Sequence, residues 1–278
     1  MVGTHAVRLI WRRTRFGEPN LLVAQRAHAV RPYEKQALHQ WSDDMAVNGI
    51  TTLTFDCYGT LIDWEGGLAC FLYDFALKNG DESAPNGDSL RVQWEAIQFD
   101  VIQGPFRLYD AVLAESLRLW CAERGYPFAK ADGEALARSM RSWAPFHDTK
   151  PALERAQQAG LKLAIISNSQ HDIIAHSLKH MGVTFDHVIT AEDCGAYKPA
   201  DTVFKQSLMR LGEDPANMLH VAFGFKYDIG PAQRYGWKTA WINRNAQPKP
   251  GYENPDFIWP DLWGLAAWAG ETRDDGLK

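Results

Sequence analysis

No apolar run in this chain of 278 residues approaches the ~20 residues a membrane-spanning helix needs, so no membrane partner is expected. Cysteine is scarce. Cys57, Cys70, Cys121 and Cys194 are far apart and form no CxxC pair. That spacing speaks against a disulfide frame or a zinc site, and for reduced thiols in a cytoplasmic protein. There is no excess of basic charge: the net charge is −5, which gives no reason to expect a nucleic acid partner. The nine histidines are read as forming no metal-ligating set, so no metal site is expected. Internal repeats and low-complexity tracts are also lacking. What remains is an ordinary globular composition, 46% hydrophobic and 23% charged, long enough for one large domain or for a core with an inserted subdomain.

Acidic residues are nearly missing from the first 41 positions, where Arg8, Arg12, Arg13, Arg15, Arg26, Arg31 and Lys35 face only Glu18 and Glu34. This leader has no apolar segment of the secretory kind and lacks the serines of a transit peptide. Residues 1–47 are therefore expected to be a poorly ordered extension, or to lie upstream of a true start at Met45. The polar residues 271–278 are expected to be a frayed tail.

The folded part begins with a strand-like run, Thr51, Thr52, Leu53, Thr54 and Phe55, which ends in Asp56 and a glycine-containing turn. The group Asp63–Gly67 reads as a flexible turn before a helix through Leu68, Phe71, Leu72, Phe75 and Leu77. From residue 90 to about 146 the period is helical throughout: Leu108, Val112, Leu117 and Trp120 recur at helical spacing, as do Ala135, Leu136, Met140 and Trp143. No strand candidate interrupts this region. From Thr149 onward strands and helices alternate, with strands expected over 161–166, 186–190, 218–223 and 238–242. Such alternation predicts right-handed crossovers and a doubly wound parallel sheet. The expected division is an α/β core over 48–64 and 147–270 with an all-helical cap inserted over 65–146. Trp120, Trp143 and Trp241 are taken as packing residues, the run 259–268 as an edge element covering the sheet, and His147 as a polar hinge residue.

The carboxyl edge of a parallel sheet is where ligands bind. Four strand ends meet there, carrying Asp56, Ser167–Asn168, Lys198 and Asp228. Taken singly, each has an ordinary reading: Asp56 as a strand-end cap, Lys198 as a surface lysine, Ser167–Asn168 as a helix cap. Four such coincidences in order outweigh those readings. An aspartate there can form a covalent ester and so split one difficult displacement into two steps. A neighbouring ammonium such as Lys198 keeps it ionised.

This ordered set (Phe55-Asp56-Cys57-Tyr58-Gly59-Thr60-Leu61, Ile165-Ile166-Ser167-Asn168, Tyr197-Lys198-Pro199 and Asp228), with a helical insertion after the first strand, resembles the haloacid dehalogenase superfamily of hydrolases over about residues 50–243. The superfamily's phosphatases carry a second Asp two residues after the nucleophile, to protonate the leaving oxygen. Here that residue is Tyr58, as in the type II, L-specific 2-haloacid dehalogenases, whose halide leaving group needs no proton. The resemblance implies that Asp56 attacks the halogen-bearing carbon with inversion and that water then opens the ester. It implies that Lys198 supports Asp56 and pairs with the substrate carboxylate, and that Asp228 helps position the water. Tyr58, Thr60, Ser167 and Asn168 are the residues expected to bind and orient substrate. No organic cofactor is implied, and only Gly224 stands where a second metal-binding acid would precede Asp228, so magnesium belongs to the phosphatase alternative alone. The partner expected is a small molecule, with a homodimer as the implied assembly.

Several positions depart from that branch. Trp94 is followed by Glu95 where members carry a halide-binding Arg, leaving Arg91 or Arg107 as substitutes. Phe204 replaces a Tyr, and Phe223 and Phe225 replace a polar pair before Asp228. These suggest a more aromatic pocket and an altered substrate. The alternatives are a phosphatase acting on a small phosphate ester and a catalytically weak member kept for binding.

Overall fold

Six short apolar strands build one sheet in the order β3-β2-β1-β4-β5-β6, every neighbouring pair parallel. They are β1 (Thr52–Phe55), β2 (Lys162–Ser167), β3 (His187–Thr190), β4 (Met218–Ala222), β5 (Lys238–Ile242) and β6 (Phe257–Trp259). This computed structural model describes residues 49–251 and 253–271; the expected leader over 1–47 and the tail beyond 271 lie outside them. Among the described residues no helix is long and apolar enough to cross a membrane.

Alternation along the strands sorts their side chains onto two faces. Leu53, Phe55, Leu163, Ile165, Leu219 and Val221 pack on one side with Ala152, Leu153 and Ala156 of α5 (Thr149–Gln158). The same side takes Leu262, Leu265 and Trp268 at α10 (Trp263–Glu271). Ala164, Ile166 and Met218 pack on the other side with Val203, Phe204 and Leu211 of α8 (Asp201–Leu211) and with Ala232 of α9 (Gly230–Arg234). The doubly wound parallel sheet expected from the strand–helix alternation is therefore present. Its order reverses between β1 and β4, which opens a crevice at their carboxyl ends.

Between β1 and α5 the chain is helical: α1 (Trp64–Lys78), α2 (Gly87–Ile102), α3 (Tyr109–Arg124) and α4 (Lys130–Met140). The expected flexible turn at 63–67 is corrected here. Trp64 already begins α1, and Asp63 caps it by accepting the amide of Gly66 at 2.9 Å. Gly67 is a glycine for space, because a Cβ there would stand 2.5 Å from the Trp143 ring. The two crossings between sheet and helices run side by side, Asp63 N donating to the Ala144 carbonyl at 2.9 Å and Phe146 N to that of Leu61 at 3.1 Å. Segment 259–268 lies at the sheet's edge as expected: Trp259 ends β6, the edge strand, and α10 packs on α5 over the same face of the sheet. The turn expected before Asp228 is a single wide helical turn, Phe225–Ile229.

Candidate active site

Asp56 stands one residue beyond β1, its amide still bonded to the Val221 carbonyl at 3.2 Å. The chain then turns through Gly59 at φ +93°, where a Cβ would also come within 2.9 Å of the Phe223 ring, so the turn requires glycine. That turn brings Thr60 beneath the carboxylate. Thr60 Oγ1 donates to Asp56 Oδ2 at 2.8 Å and accepts the amide of Phe223 at 2.9 Å.

Lys198 reaches the other oxygen from the loop before α8. Its Nζ donates to Asp228 Oδ1 at 2.6 Å, to the Ile166 carbonyl at 2.8 Å and to Asp56 Oδ1 at 3.0 Å. Asn168 at the end of β2 grips the Lys198 backbone from both sides: Oδ1 accepts its amide at 2.6 Å, and Nδ2 donates to its carbonyl at 3.0 Å. The Ser167 hydroxyl beside it is buried, lines the cavity and has no hydrogen-bond partner among the described residues.

Behind Asp228 lies a residue that the sequence reading missed. His220 Nε2 is 3.1 Å from Asp228 Oδ1, and its Nδ1 is 2.8 Å from Thr54 Oγ1. With the proton on Nε2, the ring donates to Asp228 and accepts from Thr54. The available signal was register: Thr54 and His220, both polar and fully buried, are direct neighbours across the β1–β4 pair.

Charge is unevenly shared in this chain of contacts. Burial alone would lower the Lys198 pKa, but Asp228 and Asp56 outweigh it and raise it. Burial likewise pushes Asp228 up, yet Lys198 and His220 more than offset it and hold the carboxyl below its ordinary range. Asp56 lies above its ordinary range, because burial exceeds what Lys198 returns and the Asp228 charge adds to it. The ammonium therefore serves Asp228 first. Asp56 is left as the more basic of the two carboxylates.

Asp56, Tyr58, Ser167, Asn168, Lys198 and Asp228 line one cavity of about 640 Å³, walled by aromatic residues including Phe99, Tyr109, Phe223, Phe225 and Tyr227. Tyr58 hydrogen-bonds Ser177 Oγ at 2.9 Å, and burial keeps its phenol well above the ordinary value. Four expectations are corrected. Thr60 is fully buried and absent from the lining; it holds Asp56 rather than reaching a ligand. Lys198 has spent all three protons, so no donor is left for a substrate carboxylate. Phe204 is no pocket residue: it packs under the sheet against Tyr235 and Trp237. Arg107 is exposed and outside the lining, whereas Arg91 lines the cavity between Glu65 at 2.9 Å and Glu95 at 3.0 Å.

The residues present do not suit a magnesium ion held by paired acids. A Cβ at Gly224 would lie 2.6 Å from Asp228 Oδ2, and Asp56 and Asp228 already share the Lys198 ammonium. His147 is exposed, its ring 6.3 Å from that of Trp263. His176 and His180 stand one turn apart on the exposed side of α6 (His171–Met181), but among the described residues no three His, Cys, Asp or Glu side chains are grouped to hold a metal.

A second cluster braces the nucleophile turn and was also missed. Fully buried Asp148 receives Arg244 at 2.8 and 3.1 Å and the Leu262 amide at 2.9 Å. Arg244 in turn donates to the Thr60 carbonyl at 3.0 Å and lies 3.8 Å over the Phe146 ring.

The sequence model of the haloacid dehalogenase-like hydrolases matches residues 50–236. The (S)-2-haloacid dehalogenase of Pseudomonas putida is 28% identical over 207 residues, covering 71% of this chain and 86% of that protein. A crystal structure of an L-2-haloacid dehalogenase superposes with a TM-score of 0.71 at 25% identity, covering 80% of this chain and 99% of the other. The L-2-haloacid dehalogenase of Xanthobacter autotrophicus shares the fold, with a TM-score of 0.68 at 22% identity over 78% of this chain and 97% of its own. With the family's sequence pattern running from β1 through β4 and over the strand-end residues, this chain belongs to the haloacid dehalogenase-like hydrolases.

Proposed function

We propose that the protein hydrolyses the carbon–halogen bond of short 2-haloalkanoic acids through an aspartyl ester. The observation that carries this reading is Asp56 itself: a buried carboxylate oriented by Thr60 and Lys198, raised in basicity, with Tyr58 rather than an acid two residues on. The relatives named for this reaction support it. An Asp56 oxygen attacks C2 in line, the carbon–halogen bond breaks, and halide leaves with the bonding pair. Lys198 and Thr60 hold the carboxylate, and Ser167 and Asn168 orient the substrate. A water beside Asp228 then attacks the ester at the Asp56 carboxyl carbon. The bond from that carbon to the substrate oxygen breaks; one water proton passes by way of Asp228 to the departing alkoxide, which leaves as the 2-hydroxy acid, and the other goes from the regenerated Asp56 carboxyl to solvent. The reaction uses no organic cofactor and no magnesium; the enzyme is taken as cytoplasmic and as a homodimer.

Halide release from each enantiomer of 2-chloropropionate, by wild type and by Asp56→Asn, tests the reading, beside phosphate release from an aryl phosphate with and without magnesium. Wild type should release halide and Asp56→Asn should not. Equal slow release by both overturns the proposal, magnesium-dependent phosphate release points to a phosphatase, and neither product points to a binding role.

A further inference from the structure

The substrate of the proposed reaction is an anion, yet the cavity lining holds Asp56, Glu65, Glu95, Asp100 and Asp228 against only three cations, Arg91, Lys198 and Lys226. The substrate's carboxylate is best met by a cation that keeps a free N–H donor and an unshared charge. Lys198 does not, since its three protons point at Asp228, Asp56 and the Ile166 carbonyl. Arg91 does not either. Its charge is already shared by two carboxylates, Glu65 at 2.9 Å and Glu95 at 3.0 Å, with Asp88 3.9 Å from its Nε.

Lys226 is different. It is exposed, lines the cavity two residues before Asp228, and has no hydrogen bond or ion pair among the described residues. Its ammonium is nevertheless held in place, 3.0 Å from the centroid of the Phe99 ring on α2, and Tyr227 packs edge-on against the same ring at 5.5 Å. A ring face attracts a cation through its quadrupole and leaves the N–H donors unspent. Glu95, one turn before Phe99, is the nearby acid that would compete for Lys226, and Arg91 already engages it at 3.0 Å.

We propose that Lys226 is the cation that receives the substrate's carboxylate, a binding role that rests on the dehalogenase reading. The aromatic seat presents the ammonium, Arg91 keeps Glu95 from capturing it, and the incoming carboxylate completes its donor set.

The test compares wild type, Lys226→Gln and Lys226→Arg on 2-chloropropionate and on its neutral amide. Lys226→Gln should raise KM for the acid about tenfold or more, the size of one lost charge-assisted contact. It should change kcat by less than about threefold and leave the amide unaffected, and Lys226→Arg should restore most of the loss. An unchanged KM for the acid, or equal losses on acid and amide, overturns the proposal. Calorimetric titration of lactate, which requires no turnover, separates this proposal from the reaction itself. Binding by wild type that weakens about tenfold in Lys226→Gln supports the carboxylate site even if no halide is released. Equal binding by the two proteins, or none by wild type, overturns it.

Discussion

His220 Nε2 stands 3.1 Å from Asp228 Oδ1, the same oxygen that takes the Lys198 ammonium at 2.6 Å. Two donors converge on one oxygen of a buried acid. That fixes Asp228, and through Lys198 it fixes Asp56. The contacts form one line from Thr54 through His220, Asp228 and Lys198 to Asp56 and Thr60.

His220→Leu should break that line at its buried end, leaving the Thr54 hydroxyl without its ring partner and Asp228 short of a donor. The expected loss is about 1–3 kcal/mol in urea unfolding. His220→Gln, which can still donate, should lose less. Equal losses would show that the ring contributes packing alone.

Asp56→Asn should unfold at a higher temperature than wild type at about pH 7, by a few degrees. The Asp56 carboxyl is raised above 3.8 in the fold. A raised acid contributes its stability fully below its unfolded value, and that contribution is lost as pH rises through the folded value. Neutral Asn escapes the loss and leaves Lys198 paired with Asp228. The advantage should therefore shrink toward about pH 4; an advantage of the same size at both values contradicts this account.

Arg244→Ala should be among the most damaging substitutions away from the cavity. Asp148 is 0% exposed and would be left buried without its cation. Losing one partner of a buried pair costs about 3–5 kcal/mol. The Thr60 carbonyl would also lose its donor, so halide release should fall along with the unfolding midpoint. A change below about 1 kcal/mol contradicts the bracing role.

Gly224→Ala should lower kcat by about a hundredfold, the scale of an ångström's misplacement of a working group. The new Cβ would lie 2.6 Å from Asp228 Oδ2, and His220 and Lys198 keep that carboxylate from moving aside. Steady-state kinetics on 2-chloropropionate measures this, and a kcat within about twofold of wild type contradicts it.

Much of the fold was legible because its signals are local. Buried parallel strands read as apolar runs, and Asp56, Ser167–Asn168, Lys198 and Asp228 fall at their ends, where a parallel sheet gathers them. What could not be read depends on contacts distant in sequence. Gly67 looks like part of a turn until Trp143 arrives to fill the space beside it. Lys198 looks available to a substrate until its third proton is found on the Ile166 carbonyl. Phe204 matches a pocket position by spacing, yet it faces Tyr235 and Trp237 beneath the sheet. His220 acquires its meaning only from β-strand register, and Lys226 only from a ring on a helix more than a hundred residues earlier.

The central claim is that Asp56 becomes esterified. A single turnover of 2-chloropropionate in H2-18O, with enzyme in excess, tests it most directly. If water opens an aspartyl ester, the label enters the Asp56 carboxyl and is found by mass spectrometry in the peptide that carries it, while the first 2-hydroxy acid released is unlabelled. Label in that first product, with none in the peptide, would contradict the account.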